Sequence, residues 1–333
     1  MKKLGGEMGI NRREFLEDMA ATATALSCGL PAKGGTTTLP TRTLGKTEAR
    51  VSILAMGAGS RFLMYKDEDE ALKAATQALD AGITYIDTSD DYGRDHLSER
   101  RIGKVLKGRR RGVFVATKLS NRNGAESRRV VEESLRALQV DQVDLIHIHS
   151  LTSEEDLATI ESKGGVLEQL MKMRDEKLMR FIGITSHTDP AVLRTALERH
   201  DFDCTQMALN GARTGMKSGQ SGMIPNPDMT TSFETTALPV ATKKDMGVIA
   251  MKVLAQDALQ RHAQPEKLLR YSLSLPVATA VVGMPKLEHI TENVQLAKNF
   301  QPLSRAEMDQ ISGALAVRSK AELDRFFSTH VDA

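Results

Sequence analysis

The sequence predicts an α/β protein folded as a single (β/α)8 TIM barrel with an extra helix at its C-terminal end. Three observations carry this expectation. Eight short apolar or β-branched runs recur along the chain with starts 24 to 43 residues apart, the length of one strand–helix unit. The segments between them carry helical periodicity, and several of the runs are apolar throughout, as in Val113-Phe114-Val115-Ala116 and Ala280-Val281-Val282. Strands of that kind are covered on both faces, which means a parallel sheet under helices.

Taken in order, residues 1–38 precede the repeating pattern. Asn11-Arg12-Arg13-Glu14-Phe15-Leu16 leads into an Ala-rich stretch at 19–26, and the paired arginine before a short, mildly apolar run resembles a twin-arginine export signal. Gly34-Gly35-Thr36-Thr37-Thr38 reads as a linker. The expectation is a periplasmic protein exported by that route, with the export machinery as a partner. Glu17 and Asp18 interrupt the apolar run and no Ala-x-Ala cleavage site follows, so a cytoplasmic protein is the alternative.

The barrel then occupies 39–333, with strands expected at 51–57, 85–89, 113–119, 143–149, 180–186, 204–210, 247–254 and 278–284. Ala71, Leu72, Ala75, Ala78 and Leu79 fall on one helical face before the second strand, as do Val130, Val131, Ser134, Leu135 and Leu138 before the fourth. The longest departure, 211–232, is rich in Gly, Thr, Pro and Met, and a loop of that length is functional or mobile. Met216, Met223 and Met229 within it are candidates to cover a site. Residues 305–315 form the extra helix. A doubly wound sheet with a second domain is the competing architecture, but no shift in composition marks a boundary.

Composition excludes several functions. The 45 Lys+Arg against 43 Asp+Glu leave a net charge of +2, too small an excess for nucleic-acid binding as the main activity. The cluster Arg100-Arg101, Lys104, Lys107 and Arg109-Arg110-Arg111 reads as a solvated face at the bottom of the barrel. Two cysteines, Cys28 and Cys204, exclude a disulfide framework and a four-cysteine metal site. Beyond residue 35 no apolar run approaches the roughly 20 residues that span a bilayer. Aromatic residues make up only 4% and Trp is absent, so a substrate pocket would be walled by Met, Leu and polar loop residues.

In such a barrel the chemistry sits at the C-terminal ends of the strands. Reading those ends gives Asp87 and, shortly after, Tyr92; then Lys118, His149, Thr185-Ser186-His187, Gln206 and Asn210. An ammonium beside a phenol stabilises the phenolate and is expected to lower the pKa of Tyr92, while a carboxylate holds the ammonium charged. Asp87, Lys118 and Tyr92 therefore suit a relay that delivers a proton to a carbonyl oxygen as hydride reaches its carbon, with His149 positioning that oxygen.

Asp87-Thr88-Ser89-Asp90-Asp91-Tyr92-Gly93, Thr117-Lys118 and Asp144-Leu145-Ile146-His147-Ile148-His149 resemble the three tetrad motifs of the aldo-keto reductases, and the resemblance runs from about Arg42 to Leu296. Ser98-Glu99 and Gly103 match the segment after the tyrosine. The resemblance implies an NAD(P)H-dependent reductase of small carbonyl compounds with Tyr92 as general acid/base, Asp87 and Lys118 tuning it, and His149 orienting the carbonyl. It further implies that Thr185, Ser186 and Gln206 hold the nicotinamide carboxamide, with Ser186 in place of the usual Asn. Gly283, Lys286, His289, Glu292 and Asn293 fall where the family binds the adenosine 2′-phosphate and adenine. Gly283 and His289 stand where many members carry Lys and Arg, and Lys286 is the candidate to replace that charge, so NADP(H) is favoured over NAD(H). Met251-Lys252 replaces the aromatic that stacks on nicotinamide, and Lys252 is a further candidate for contact with the cofactor.

Other chemistries fit parts of the same set. His147 and His149, two apart, share a strand face and would suit a metal-dependent TIM-barrel hydrolase with Lys118 and His187 nearby. A noncatalytic nicotinamide-binding sensor would use the cofactor residues alone, and Lys118 could form a Schiff base in an aldolase. His187 either faces the substrate or caps the helix that starts near Pro190.

Overall fold

The structure, a computed structural model, describes residues 38–326 except 220, 221, 227, 228, 256 and 257. The twin-arginine-like motif and its linker through Thr37 lie outside the described residues.

Eight parallel strands close into a barrel. They are β3 (Leu54–Gly57), β4 (Tyr85–Asp87), β5 (Phe114–Leu119), β6 (Val143–Ile148), β7 (Met179–Ser186), β8 (Cys204–Ala208), β11 (Gly247–Met251) and β12 (Thr279–Gly283), in that order around the ring. The expected strand at 51–57 divides at Ile53. Its first part, β2 (Arg50–Ser52), pairs antiparallel with β1 (Thr41–Thr43), and its second part enters the barrel. The division has a packing reason. Leu44 and Val51 are fully buried with Tyr85, Phe114, Leu145 and Cys204, so the hairpin closes the end of the barrel where the strands begin.

Inside the barrel Phe114 stacks between Tyr85 and Phe181, with ring centroids 5.1 Å and 6.3 Å away. Three of the scarce aromatic residues thus fill the interior below the mouth, which is a packed core. The larger core lies between strands and helices. Ala71, Ala74, Ala75 and Ala78 on the helix Glu68–Asp80 are all buried, and such small residues let that helix approach the sheet closely.

Helix starts are set by side chains that accept otherwise unpaired backbone N–H groups. Asp67 caps Glu68–Asp80, Asn123 caps Gly124–Leu138, Ser153 caps Glu154–Glu161 and Asp189 caps Pro190–Arg199. Within 211–232, β9 (Met216–Gly219) and β10 (Gly222–Pro225) pair antiparallel, which the loop expectation did not include. The C-terminal helix is longer than expected, running Arg305–Phe326. No described helix is long and apolar enough to cross a membrane.

Candidate active site

A cavity of about 470 Å³ opens at the C-terminal ends of the strands, lined by residues that include Asp87, Tyr92, His149, His187, Gln206, Lys252 and Gly283. Asp87 ends β4 and Lys118 lies in β5, both almost fully buried. The Lys118 ammonium donates to Asp87 Oδ2 and to the Thr88 carbonyl, each at 2.7 Å. It also lies 4.6 Å from the centroid of the Tyr92 ring. Burial disfavours the ammonium, but Asp87 and Tyr92 outweigh it and raise the Lys118 pKa above its ordinary value.

Tyr92 differs from the sequence-based expectation. Burial raises its phenol to about 12 against the lowering pull of Lys118, and the carboxylates of Asp87 and Asp91 add to the rise. The ammonium moderates the shift without reversing it, because desolvating a phenolate costs more than one partner returns. Tyr92 therefore keeps its phenolic proton at neutral pH.

His149 follows β6 directly, with its ring 5.8 Å from that of Tyr92 in an edge-on arrangement. Its Nδ1 lies 2.9 Å from Ser120 Oγ, 3.4 Å from Ser89 Oγ and 3.4 Å from Asp91 Oδ2. Both serines donate their hydroxyl protons to carboxylates, Ser120 to Asp90 at 2.9 Å and Ser89 to Asp91 at 2.6 Å. Their oxygens are left to accept, which assigns a proton to Nδ1 and frees Nε2 for a ligand. Burial opposes the charge on Asp91, yet hydrogen bonds from His149, Ser89 and Ser120 hold its carboxyl well below the usual range.

Arg122 fixes this arrangement from behind. Its guanidinium engages Asp156 at 2.7 Å and 3.0 Å and donates to the His149 carbonyl at 2.6 Å and the Ser120 carbonyl at 3.2 Å. Ser120, Arg122, Ser150 and Arg61 all line the cavity. None stands out when only strand-terminal residues are inspected. Each lies one to four residues past a strand end, in the loops that carry the chain away from the mouth.

The residues expected to hold a carboxamide divide. Gln206 faces the cavity, and its buried Oε1 has no hydrogen-bond partner among the described residues, which fits an amide-bearing ligand. Thr185 and Ser186 are fully buried and act on the loop after β6 instead. Thr185 Oγ1 accepts from the Ser150 N–H at 2.7 Å, and Ser186 Oγ donates to the Leu151 carbonyl at 2.7 Å. Met251 and Lys252 line the cavity beside β11, with Lys252 in the left-handed region at φ 55°. Gly283 lines it as well. Lys286, exposed, is the N-cap of the helix Leu287–Lys298, which bears His289, Glu292 and Asn293 in its first two turns, outside the cavity lining.

His187 faces the cavity, with Nε2 3.2 Å from Ser150 Oγ, and the cap of the following helix is Asp189 instead. Burial, reinforced by Lys252, His149 and Lys118, pushes its pKa far down, so it is neutral. His147 is sealed inside the barrel, where a Cβ on Gly183 would lie 2.4 Å from its Nδ1. His147 and His149 therefore do not converge on one ligand, which removes the pairing that the hydrolase reading needs. Met216 is buried and hydrogen-bonds through its N–H to the His187 carbonyl; neither it nor Met229 lines the cavity. The side chain of Met223 lies outside the described residues.

Comparison with known proteins agrees with this geometry. The family model described as "Aldo/keto reductase family" matches residues 54–268. L-galactose dehydrogenase of Arabidopsis thaliana is 28% identical over 314 residues, covering 82% of this chain and 92% of that protein. The uncharacterized oxidoreductase YqkF of Bacillus subtilis is 26% identical over 317 residues, covering 80% and 94%. Among solved structures, the holo form of aldo-keto reductase AKR11C1 from Bacillus halodurans superposes with a TM-score of 0.68 at 24% identity, covering 83% of this chain and 96% of that one. At that identity the likeness speaks for the fold alone.

Proposed function

The chain belongs to the aldo/keto reductase family, and from that premise we propose that it reduces small aldehydes or ketones with NADP(H) in preference to NAD(H). It is an oxidoreductase that moves hydride between a nicotinamide cofactor and a carbonyl carbon. The observation that carries the reading is the convergence of Asp87, Lys118, Tyr92 and His149 on one mouth.

The cofactor, when bound, supplies the hydride. Gln206 would hold its carboxamide, Met251 and Lys252 would flank it, and Gly283 with Lys286 would face its adenosine end. The chain's own residues manage the oxygen. His149, held by Ser120 and Ser89 beside Tyr92, would orient the carbonyl oxygen. Tyr92, protonated at neutral pH, gives its proton to that oxygen as negative charge develops there. Lys118, held charged by Asp87, stabilises the phenolate left behind. In oxidation of an alcohol the same proton returns to Tyr92.

Preference for NADP(H) is supported by Lys286 at the start of the helix Leu287–Lys298, whose first N–H groups have no side-chain cap. A relative from Schizosaccharomyces pombe, 28% identical over 174 residues, carries NADP(+) in its name. Titration with NADPH and NADH by nucleotide fluorescence, followed by turnover of a panel of simple carbonyl compounds, tests the reading. Tighter binding of NADH than NADPH would reverse the preference, and absence of turnover on every carbonyl would sink the substrate class.

We further propose export by the twin-arginine route, supported by Arg12-Arg13 before an apolar, Ala-rich stretch. That route carries folded proteins, so the enzyme could take its cofactor with it. Fractionation of cells expressing the full chain should find it in the periplasm, and Arg12→Lys with Arg13→Lys should retain it in the cytoplasm. An unaltered cytoplasmic distribution would reject export.

A further inference from the structure

We infer that Ser150, aimed by His187, is a specificity-determining residue that selects carbonyl substrates bearing a hydroxyl group next to the carbonyl; this rests on the reductase reading above. Successive side chains of extended chain point to opposite faces, so His149 and Ser150 are not both expected at the mouth. Ser150 departs from that alternation. Its backbone lies in the left-handed region at φ 54°, and its side chain lines the same cavity as His149. A residue with a Cβ rarely adopts this conformation, and such strain persists only where surrounding groups enforce it. Four hydrogen bonds do so here. The Ser150 N–H donates to Thr185 Oγ1 and the Leu151 N–H to the Thr185 carbonyl, each at 2.7 Å. Ser186 Oγ donates to the Leu151 carbonyl at 2.7 Å, and the Arg122 guanidinium to the Ser150 carbonyl at 3.3 Å. Thr185 and Ser186 thus hold Ser150 beside the residue that orients the carbonyl.

His187 decides where the Ser150 hydroxyl points. Its Nε2 lies 3.2 Å from Ser150 Oγ, while its Nδ1 is buried with no hydrogen-bond partner among the described residues. The imidazole is neutral and carries a single N–H. A proton on Nδ1 would be a buried donor without an acceptor, so the proton belongs on Nε2 and is donated to Ser150 Oγ. The Ser150 hydroxyl then keeps its own proton and a second lone pair. Its oxygen has no other partner among the described residues, and it faces the cavity. A group that offers both one donor and one acceptor is matched by a hydroxyl on the ligand. The pair brings no net charge, which fits a neutral hydroxyl better than a carboxylate. His187 is itself fixed through its backbone carbonyl, which accepts the Met216 N–H.

Steady-state reduction of glyceraldehyde, propanal and glyoxylate by the wild type, Ser150→Ala, His187→Leu and His187→Gln tests this, with circular dichroism to confirm folding and NADPH titration by fluorescence alongside. Glyceraldehyde and propanal share a three-carbon aldehyde and differ in their hydroxyls, whereas glyoxylate offers a carboxylate instead. The wild type should favour glyceraldehyde over both. Ser150→Ala should lower the ratio of kcat/KM for glyceraldehyde to that for propanal by roughly ten- to thirtyfold, the scale of one hydrogen bond in a partly buried site. His187→Leu should lower the same ratio by releasing the hydroxyl, and His187→Gln, which keeps an N–H donor, should retain more of it. NADPH affinity should stay at the wild-type value throughout. An undiminished ratio in folded Ser150→Ala or His187→Leu overturns the proposal, as does a wild type that favours propanal or glyoxylate. A fall in NADPH affinity as large as the fall in the ratio would assign the pair to the cofactor and overturn it too. A wild type that reduces none of the three would instead overturn the reductase reading itself.

Discussion

The Lys118 ammonium rests 4.6 Å from the centroid of the Tyr92 ring while its hydrogen bonds go to Asp87 and the Thr88 carbonyl. One buried cation thus neutralises a carboxylate and, in the proposed reaction, would also stabilise a phenolate on Tyr92. The expected consequences can be separated experimentally.

Tyr92→Phe keeps the ring beside Lys118 and removes only the transferable proton. Carbonyl reduction should fall by about two to four orders of magnitude, the usual share of a general acid, while the nucleotide affinity stays at the wild-type value. Steady-state kinetics paired with fluorescence titration checks both halves. Near-normal turnover in this variant would mean that another group protonates the oxygen.

Lys118→Met leaves the Asp87 carboxylate, whose side chain is 4% exposed, without its counter-ion. Breaking a buried pair from one side typically costs about 3–5 kcal/mol. Urea unfolding should show a loss of that order, and reduction should be crippled as well. Adding Asp87→Asn to Lys118→Met should restore much of the stability but none of the turnover, because only the folding defect arises from the unpaired carboxylate.

The pH dependence follows from a phenol raised to about 12. Reduction needs Tyr92 protonated, so the phenol should cause no loss of rate through neutral pH and should limit the rate only under strongly alkaline conditions. Oxidation of the alcohol needs the phenolate and should rise with pH over the same range. A reductive rate that falls near pH 7 in step with Tyr92 ionisation would contradict the burial argument.

Acid should destabilise the fold through its buried histidines. Burial, aided by nearby cationic groups including Lys118 and His149, holds His147 and His187 well below their ordinary pKa. The unfolded chain takes up these protons near pH 6.5, so the stability is complete above about 6.5 and is lost as the pH falls toward the depressed native values. Each histidine contributes a slope of up to about 1.4 kcal/mol per pH unit across that window. His147→Leu should remove one such contribution, visible as a shallower decline of urea midpoints between pH 6.5 and 5. An unchanged slope would show that His147 already accepts a proton in the native barrel.

Much of this site was legible in the chain. Asp87, Tyr92, Lys118 and His149 stand at or just after strand ends because apolar runs stop there, and a polar residue closing a buried strand needs a partner or a purpose. Arg61, Ser120 and Arg122 were harder to find. They come from loops, where no periodicity distinguishes a side chain turned into the mouth from one turned to solvent. The division of the expected strand at Ile53 and the hairpin within 211–232 were likewise hidden, since a pairing partner many residues away decides them.

By itself the sequence determined the repeating unit, the number and order of the barrel strands and the polar residues that close them. All of these depend on local alternation of apolar and polar side chains. Tertiary structure alone decided which way the Tyr92 pKa moves, that Thr185 and Ser186 serve the loop after β6, that His147 is sealed while His149 is open, and that Ser150 joins His149 in the cavity. Those outcomes rest on desolvation and close contact between groups far apart in the chain. Burial and distance have no counterpart in one-dimensional spacing until the barrel closes.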